Sequence, residues 1–151
     1  MPPEAGQRSH FRALESLYRS AAINGLFDSE IEIAEPGLCR IRFQVASASF
    51  HAAGAAHGTL YFKMMDDAAF YACNSLVSDR FLLTTAFNLV FTSPMRSGEA
   101  VAEGRWISGR RRVFVGEARL LLPDGSEAAR GTGTFMRSHI PLTGLDGYRP
   151  R

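Results

Sequence analysis

One long apolar segment constrains the fold more than any other feature of this sequence. Residues 51–75 read HAAGAAHGTLYFKMMDDAAFYACNS, so a turn of small residues leads into a helix-length run that is apolar on nearly every side. Such a helix is expected to be buried. Asp66 and Asp67 lie in its middle, and a carboxylate in these surroundings is retained only when it is hydrogen-bonded, paired or used in chemistry.

Length and composition indicate one globular domain, 1–151, with a core at about residues 10–136 and an irregular C-terminal tail. The chain is 46% hydrophobic and 21% charged, with a net charge of +2. Its only dense basic cluster is Arg110-Arg111-Arg112. Nucleic-acid binding needs a longer basic stripe, so this function class is excluded. Because the N-terminus has no apolar signal core and no apolar run reaches the length of a membrane span, we expect a cytoplasmic protein without a membrane partner.

The periodicity of the remaining chain predicts one further helix and six strands. The expected order is a helix over about 9–23, strands over 30–34 and 38–45, the buried helix, and strands over 83–92, 99–108, 112–122 and 127–136. This order is typical of an α+β protein. A single central helix that is apolar all round needs a curved antiparallel β-sheet wrapped around it, and that geometry is the hotdog fold.

The residues that precede the buried helix resemble a known active-site signature. His51-x-x-Gly54-x-x-His57-Gly58 is followed, nine residues after His57, by Asp66. This pattern is similar to that of the PaaI-type acyl-CoA thioesterases, which belong to the 4-hydroxybenzoyl-CoA thioesterase superfamily of hotdog proteins. Their usual form is Asn-x-x-Gly-x-x-His-Gly-Gly with an Asp on the central helix.

The resemblance covers about residues 10–136 and departs from the family at two positions. His51 stands where the family has Asn, and its imidazole can donate or accept a hydrogen bond with a charge that depends on pH. We expect His51 to bond a buried polar partner. Thr59 stands where the family has a second Gly, and we expect its hydroxyl at the start of the helix, where it would narrow the mouth of the site.

The resemblance implies hydrolysis of an aryl- or medium-chain acyl-CoA thioester to a free acid and coenzyme A. The Gly58 amide, at the positive end of the helix dipole, would stabilise the negative charge that develops on the carbonyl oxygen. Asp66 would act as general base for water or as direct nucleophile, and the sequence leaves both routes open. Successive helical residues point about 100° apart, so we assign Asp67 a structural role. His57 is expected to hold the Gly58 loop.

Substrate binding is assigned to polar residues on the helix start, the following strand and one hairpin. Two function classes other than hydrolysis remain open, namely a non-catalytic acyl-CoA-binding or regulatory module and a hotdog hydratase or dehydratase. The Arg110-Arg111-Arg112 cluster is typical of a solvated hairpin tip, and the resemblance implies as the alternative that some of these arginines contact the phosphates of coenzyme A. The expected substrate-binding residues are Thr59, Thr84, Thr85, Asn88, Arg110 and Arg111.

No metal or cofactor is expected, because the sequence has no closely spaced His or Cys pair. Cys39 and Cys73 are predicted to be buried reduced thiols rather than a disulfide. The resemblance further implies a homodimer or homotetramer in which the acyl-CoA site lies between protomers. That site would use Gly58 of one protomer and Asp66 of the other.

Overall fold

The computed structural model describes residues 2–150 and has the predicted α+β order of elements. Two helices and six strands make up most of the chain, and short 3-10 segments occur at Ala22–Leu26, Ser47–Ser49 and Leu142–Gly144. The main elements are α1 (Ala5–Ser20), β1 (Ser29–Glu35), β2 (Leu38–Val45), α2 (Gly58–Asn74), β3 (Arg80–Phe91), β4 (Gly98–Ser108), β5 (Val113–Leu121) and β6 (Glu127–Pro141).

The six strands form one antiparallel sheet in the order β1-β2-β4-β5-β6-β3. β3 follows α2 in the chain but pairs with the last strand, so it forms one edge of the sheet while β1 forms the other. This places the strand that comes directly after the central helix on an edge that has no neighbouring strand among residues 2–150.

The sheet wraps around α2, which confirms the hotdog geometry. The side of α2 that faces the sheet carries small and flexible residues, among them Met64, Met65 and Ala68, all fully buried. Gly104 on β4 allows the closest approach, because a Cβ atom there would lie 2.1 Å from the backbone carbonyl of Ala68. The helix therefore lies directly against the centre of the sheet.

The expectation that α2 is buried on nearly every side is wrong for one face. Phe62 is 42% exposed, and Lys63, Asp66 and Asp67 are only half-buried. Phe62 and Asp66 lie on the face beside the β3 edge, which α1 and the sheet leave open, whereas Lys63 and Asp67 lie beside Asn24, at the border with the chain that follows α1. No helix among residues 2–150 is long and apolar enough to cross a membrane.

Both ends of the chain differ from the predicted boundaries. α1 begins at Ala5 and not near residue 9, since the Glu4 amide is capped by the Gln7 side chain at 3.0 Å. The predicted irregular tail continues instead as β6 to Pro141, and the Tyr148 hydroxyl lies 2.7 Å from Nδ1 of the buried His10. Cys39 and Cys73 are both buried free thiols.

Candidate active site

The start of α2 is organised by His57. This residue has extended backbone angles and is the N-cap, and its Nδ1 atom accepts a hydrogen bond from the Thr59 amide at 3.0 Å. The His57 amide in turn donates to the carbonyl oxygen of Ser49 at 2.8 Å. The cap acceptor is therefore an imidazole, and the expectation that the Thr59 hydroxyl starts the helix is wrong. That hydroxyl lies 3.0 Å from the same His57 nitrogen.

Gly58 is the first residue of α2 and lines a surface pocket of about 440 Å³. Its amide has no hydrogen-bond acceptor within residues 2–150, and it points out of the positive end of the helix dipole. A free amide in this position can bind a carbonyl oxygen or an oxyanion. The pocket is lined by His51, Ala56, Gly58, Tyr61, Phe91, Thr92, Ser93 and Pro94.

His51 also lines this pocket, but its hydrogen bond is not to a buried group. Nδ1 of the exposed His51 accepts from the Ala53 amide at 3.0 Å, while the His51 amide donates to the carbonyl oxygen of Ala55 at 2.8 Å. The expectation that His51 bonds a buried polar partner is therefore wrong. The side chain instead stabilises a tight turn of small residues beside Gly58.

Asp66 lies in the middle of α2, on the face turned towards β3. It is half-buried, and one carboxylate oxygen accepts a hydrogen bond from the Thr84 hydroxyl at 2.9 Å. Burial raises the pKa of Asp66 to about 6, the Thr84 hydrogen bond opposes this shift, and the neighbouring Asp67 charge adds to it. Such a carboxylate is ionised at neutral pH and is a much stronger base than an ordinary aspartate.

Asp67 has a different environment from its neighbour. It forms an ion pair with Lys63, whose ammonium group also donates to the side chain of Asn24. The same ammonium lies 5.1 Å from the centre of the Tyr18 ring and 5.2 Å from that of Phe27. Burial raises the pKa of Asp67, and Lys63 counteracts this shift. Asp67 is thus tied into the packing of α1 on α2.

Within one chain the two principal candidates do not meet. Gly58 and Asp66 are eight residues apart on the same helix, which separates them by about 12 Å along its axis. A single thioester carbonyl cannot contact both groups at that distance. Gly58 lines the surface pocket, whereas Asp66 lies farther along the helix beside Thr84.

The three residues of β3 that were predicted to bind substrate do not share one environment. Thr84 contacts Asp66, as described above. The Thr85 hydroxyl instead lies 2.8 Å from the Thr134 hydroxyl on β6, and the side chain of Asn88 is exposed. Alternation along a strand sends neighbouring side chains to opposite faces, so consecutive threonines cannot both reach α2.

Arg110 and Arg111 lie far from Gly58 in the same chain. They form the β4–β5 turn, where the guanidinium of Arg110 stacks on Trp106 at 4.4 Å. This turn is linked through Gly37 to Ser75, at the C-terminal end of α2. The helix has 17 residues, so that end is about 25 Å from Gly58.

A different arginine lies at the Gly58 end of the molecule. Arg96 donates to the carbonyl oxygen of Gly54 at 3.4 Å, within the loop that precedes α2. The sequence interpretation did not select Arg96, and it also missed Tyr61 and Phe91 in the pocket. The signal that could have found them is the antiparallel return of β3 along α2, which brings residues near 91 back to residue 58. No cluster of three potential metal ligands occurs within residues 2–150.

Comparison with known proteins identifies the family. Residues 53–129 match the thioesterase superfamily. A protein of Saccharolobus solfataricus whose name places it among the esterases is 25% identical over 123 residues, which cover 82% of each chain.

Solved structures share the fold. The PaaI protein of the phenylacetic acid degradation operon of Escherichia coli superposes with a TM-score of 0.82 at 18% identity, over 89% of this chain and 97% of that one. A mutant thioesterase of Pseudomonas aeruginosa gives 0.74 at 20% identity, over 93% and 96%. A Streptococcus mutans protein bound to acetyl-CoA gives 0.66 at 20% identity, over 74% and 88%. Because the family match spans just over half of the sequence, the chain belongs to the thioesterase superfamily and is a thioester hydrolase with the PaaI-type hotdog fold.

Proposed function

We propose that the protein hydrolyses acyl-CoA thioesters at a site formed between two copies of the chain, with the Gly58 amide of one protomer and Asp66 of the other. The observation that carries this proposal is the separation of about 12 Å between two otherwise well-prepared groups on one helix. Gly58 has a free amide in a pocket, and Asp66 has a raised pKa beside Thr84. Neither arrangement is complete within a single chain.

The contacts between α2 and β3 indicate how a second copy completes the site. The strand runs antiparallel to the helix, with contacts that pair Asp66 with Thr84, Phe62 with Phe87, and Gly58 with Phe91. Phe62 is midway between Gly58 and Asp66 along the helix. A two-fold axis at the Phe62–Phe87 contact therefore places Gly58 opposite the partner's Asp66, and it pairs the two β3 edges antiparallel.

The exposed apolar side chains support the proposal that β3 and the adjacent face of α2 form the interface. Four of the large hydrophobic residues that remain exposed lie on β3 or on the face of α2 beside it, and one of them, Phe62, lies at the proposed axis. Their exposed fractions are 42% for Phe62, 47% for Leu83, 60% for Val90 and 54% for Phe91. A long, unpaired and largely apolar edge strand is a template for pairing with another chain.

The chemistry needs few groups. As general base, Asp66 takes a proton from water as the water oxygen attacks the carbonyl carbon, and the Gly58 amide stabilises the oxyanion. Collapse of the tetrahedral intermediate expels the coenzyme A thiolate, which leaves without a strong acid because a thiol has a pKa of about 8.5. As nucleophile, Asp66 instead attacks the carbonyl carbon and expels the coenzyme A thiolate, and water then hydrolyses the resulting acyl anhydride and regenerates the carboxylate. Both routes give the free acid and coenzyme A.

The family and the lining of the site support the proposed substrate class. A structural neighbour binds acetyl-CoA, which supports a coenzyme A ester. The rings of Phe62 and Phe87 pack edge to face, with centroids 5.8 Å apart, beside the proposed axis, and Tyr61 and Phe91 line the pocket next to Gly58. Aromatic walls of this kind favour an aryl or medium-length acyl group over a short one.

A mixed-dimer experiment tests the shared site. Gly58→Pro removes the amide hydrogen, and Pro is well tolerated at the first helical position, especially after the extended His57. Gly58→Ala is the matched control, because it adds a side chain and keeps the N–H, so its loss of activity should be well below that of Gly58→Pro. Thiol release from acetyl-, octanoyl- and phenylacetyl-CoA should fall at least about 100-fold in Gly58→Pro and in Asp66→Asn.

Mixing the two inactive variants after unfolding and refolding should restore activity. Half of the dimers are then mixed, and each mixed dimer has one intact site out of two, so about a quarter of the parent activity should return. No recovery on mixing would show that the site lies within one chain. Failure of the parent to hydrolyse any ester of the panel would overturn the proposed acyl-CoA substrate.

A further inference from the structure

Phe91 is unusual because its ring is both exposed and closely packed. It is the last residue of β3 and is 54% exposed, yet its ring packs edge-on against Tyr61 with centroids 5.0 Å apart. The ring tip lies over Gly58, since a Cβ atom at residue 58 would be only 3.0 Å from Cζ of Phe91. The ring therefore contacts Tyr61 and Gly58 and also lines the pocket.

The backbone at Gly58 does not require glycine. Residue 58 is helical, and its φ lies outside the positive region that favours glycine. Glycine in a helix is also less stable than alanine by roughly 0.5 to 1 kcal/mol. What the absence of a side chain permits is the close approach of the Phe91 ring to the first residue of α2, whose amide is free. Gly58 and Phe91 are thus a sterically matched pair.

Tyr61 keeps the ring in this position. It lies nearly one turn after Gly58 on α2, and its hydroxyl donates to the carbonyl oxygen of Ser93 at 2.7 Å. This bond ties the chain just beyond β3 to the helix, while the Tyr61 ring supports Phe91 from the side. Phe91 is therefore held beside Gly58 by its contact with Tyr61, which is itself bonded to the chain beyond β3.

We infer that Phe91 is a positioning residue that acts through Gly58: its ring keeps water from one side of the amide that binds the oxyanion. This inference rests on the proposed function. A hydrogen bond to a developing charge is stronger where water is excluded, because the local dielectric constant is lower. In the two-fold arrangement described above, Phe91 also faces the partner's Thr84, so the ring would border the site that the partner's Asp66 serves.

Single substitutions give the first test. Phe91→Ala should lower kcat for acetyl-CoA and phenylacetyl-CoA about tenfold with little change in KM, a smaller loss than the 100-fold or more expected when an oxyanion donor is removed. Phe91→Leu, which keeps an apolar cover, should retain most of the parent kcat. Val113→Ala is the control, because Val113 is similarly exposed at 47% but lies on β5 away from the pocket.

A double-mutant cycle gives the sharper test. Gly58→Ala keeps the amide but pushes the ring aside, so it should also cost about tenfold in kcat. In the Phe91→Ala background the same methyl group has no ring to displace. The double variant should therefore be about as active as Phe91→Ala alone, rather than about 100-fold below the parent.

Two results would overturn the inference. Additive losses in the double variant would mean that the space at Gly58 serves the substrate and not the ring. A parent-level kcat in Phe91→Ala, with dimer mass and melting temperature unchanged, would mean that the ring shields nothing. Both results differ from failure of the proposed function, in which the parent itself releases no thiol from the esters.

Discussion

The two adjacent carboxylates on α2 have different expected roles, Asp66 in hydrolysis and Asp67 in stability. Asp66→Asn keeps the side-chain volume and removes the charge, so thiol release should fall at least about 100-fold, the low end for a positioned general base. Asp67→Asn weakens the bond to the half-buried Lys63, so it should cost about 1 to 3 kcal/mol of stability and little activity. Kinetics and melting curves of both variants check this. An inactive Asp67→Asn beside a fully active Asp66→Asn would mean that the two roles are exchanged.

The pKa of Asp66 predicts how activity changes with pH. Both routes to hydrolysis need the ionised carboxylate, and burial raises its pKa to about 6. The rate of thiol release should therefore rise with pH to a plateau, with its midpoint near pH 6. The residual rate of Asp66→Asn should lack this rise. A parent profile that is flat between about pH 5 and about pH 7 would contradict the assignment.

The raised pKa of Asp66 also determines how ionisation of this residue changes the stability of the folded protein. The folded-state pKa of Asp66 is above its ordinary value of 3.8, so the folded protein holds this proton more tightly than the unfolded chain does. Ionisation therefore disfavours the folded state, fully above about pH 6 and not at all well below pH 4. Asp66→Asn should melt at or above the parent temperature at neutral pH, and this advantage should disappear in acid.

At the scale of the element, the start of α2 depends on an unusual cap. His57 supplies through an imidazole nitrogen the acceptor that Ser, Thr, Asp or Asn usually provides. His57→Ala should destabilise the protein by about 0.5 to 2 kcal/mol, whereas His57→Asn should keep most of the stability. Urea unfolding measures both, with His139→Ala, at an exposed position on β6, as control. Equal stability of His57→Ala and the parent would show that the cap contributes nothing.

At the scale of the whole molecule, the β3 edge is the feature that a single chain leaves incomplete. Val90→Lys places a charge on this edge at a residue that is 60% exposed, so it should oppose pairing of two copies. The expected result is a species of 16.6 kDa by light scattering, with loss of thioesterase activity because each site needs both protomers. Val113→Lys, on the outer side of β5, should remain an active oligomer. A Val90→Lys variant that is monomeric and fully active would refute the shared site.

The local sequence pattern determined the type and order of most helices and strands. The alternating strands, the apolar helix over residues 58–74 and the small-residue turn before it all follow from neighbouring residues in the chain, so their order was predictable. The signature from His51 to Asp66 is likewise local, and its resemblance to the PaaI-type pattern implied a thioesterase. Element ends were less predictable, since caps such as that of Gln7 on Glu4 depend on one hydrogen bond.

Only the tertiary structure decided which of these residues meet. The return of β3 along α2 brings Thr84 to Asp66 and Phe91 to Gly58, and the packing of the 3-10 segment after α1 joins Asn24 to Lys63 and thereby sets Asp67 apart from Asp66. The turn between β4 and β5 carries Arg110 and Arg111 to the far end of the helix. These contacts join residues distant in sequence, where periodicity carries no information, so the chain encodes them only through the complete fold.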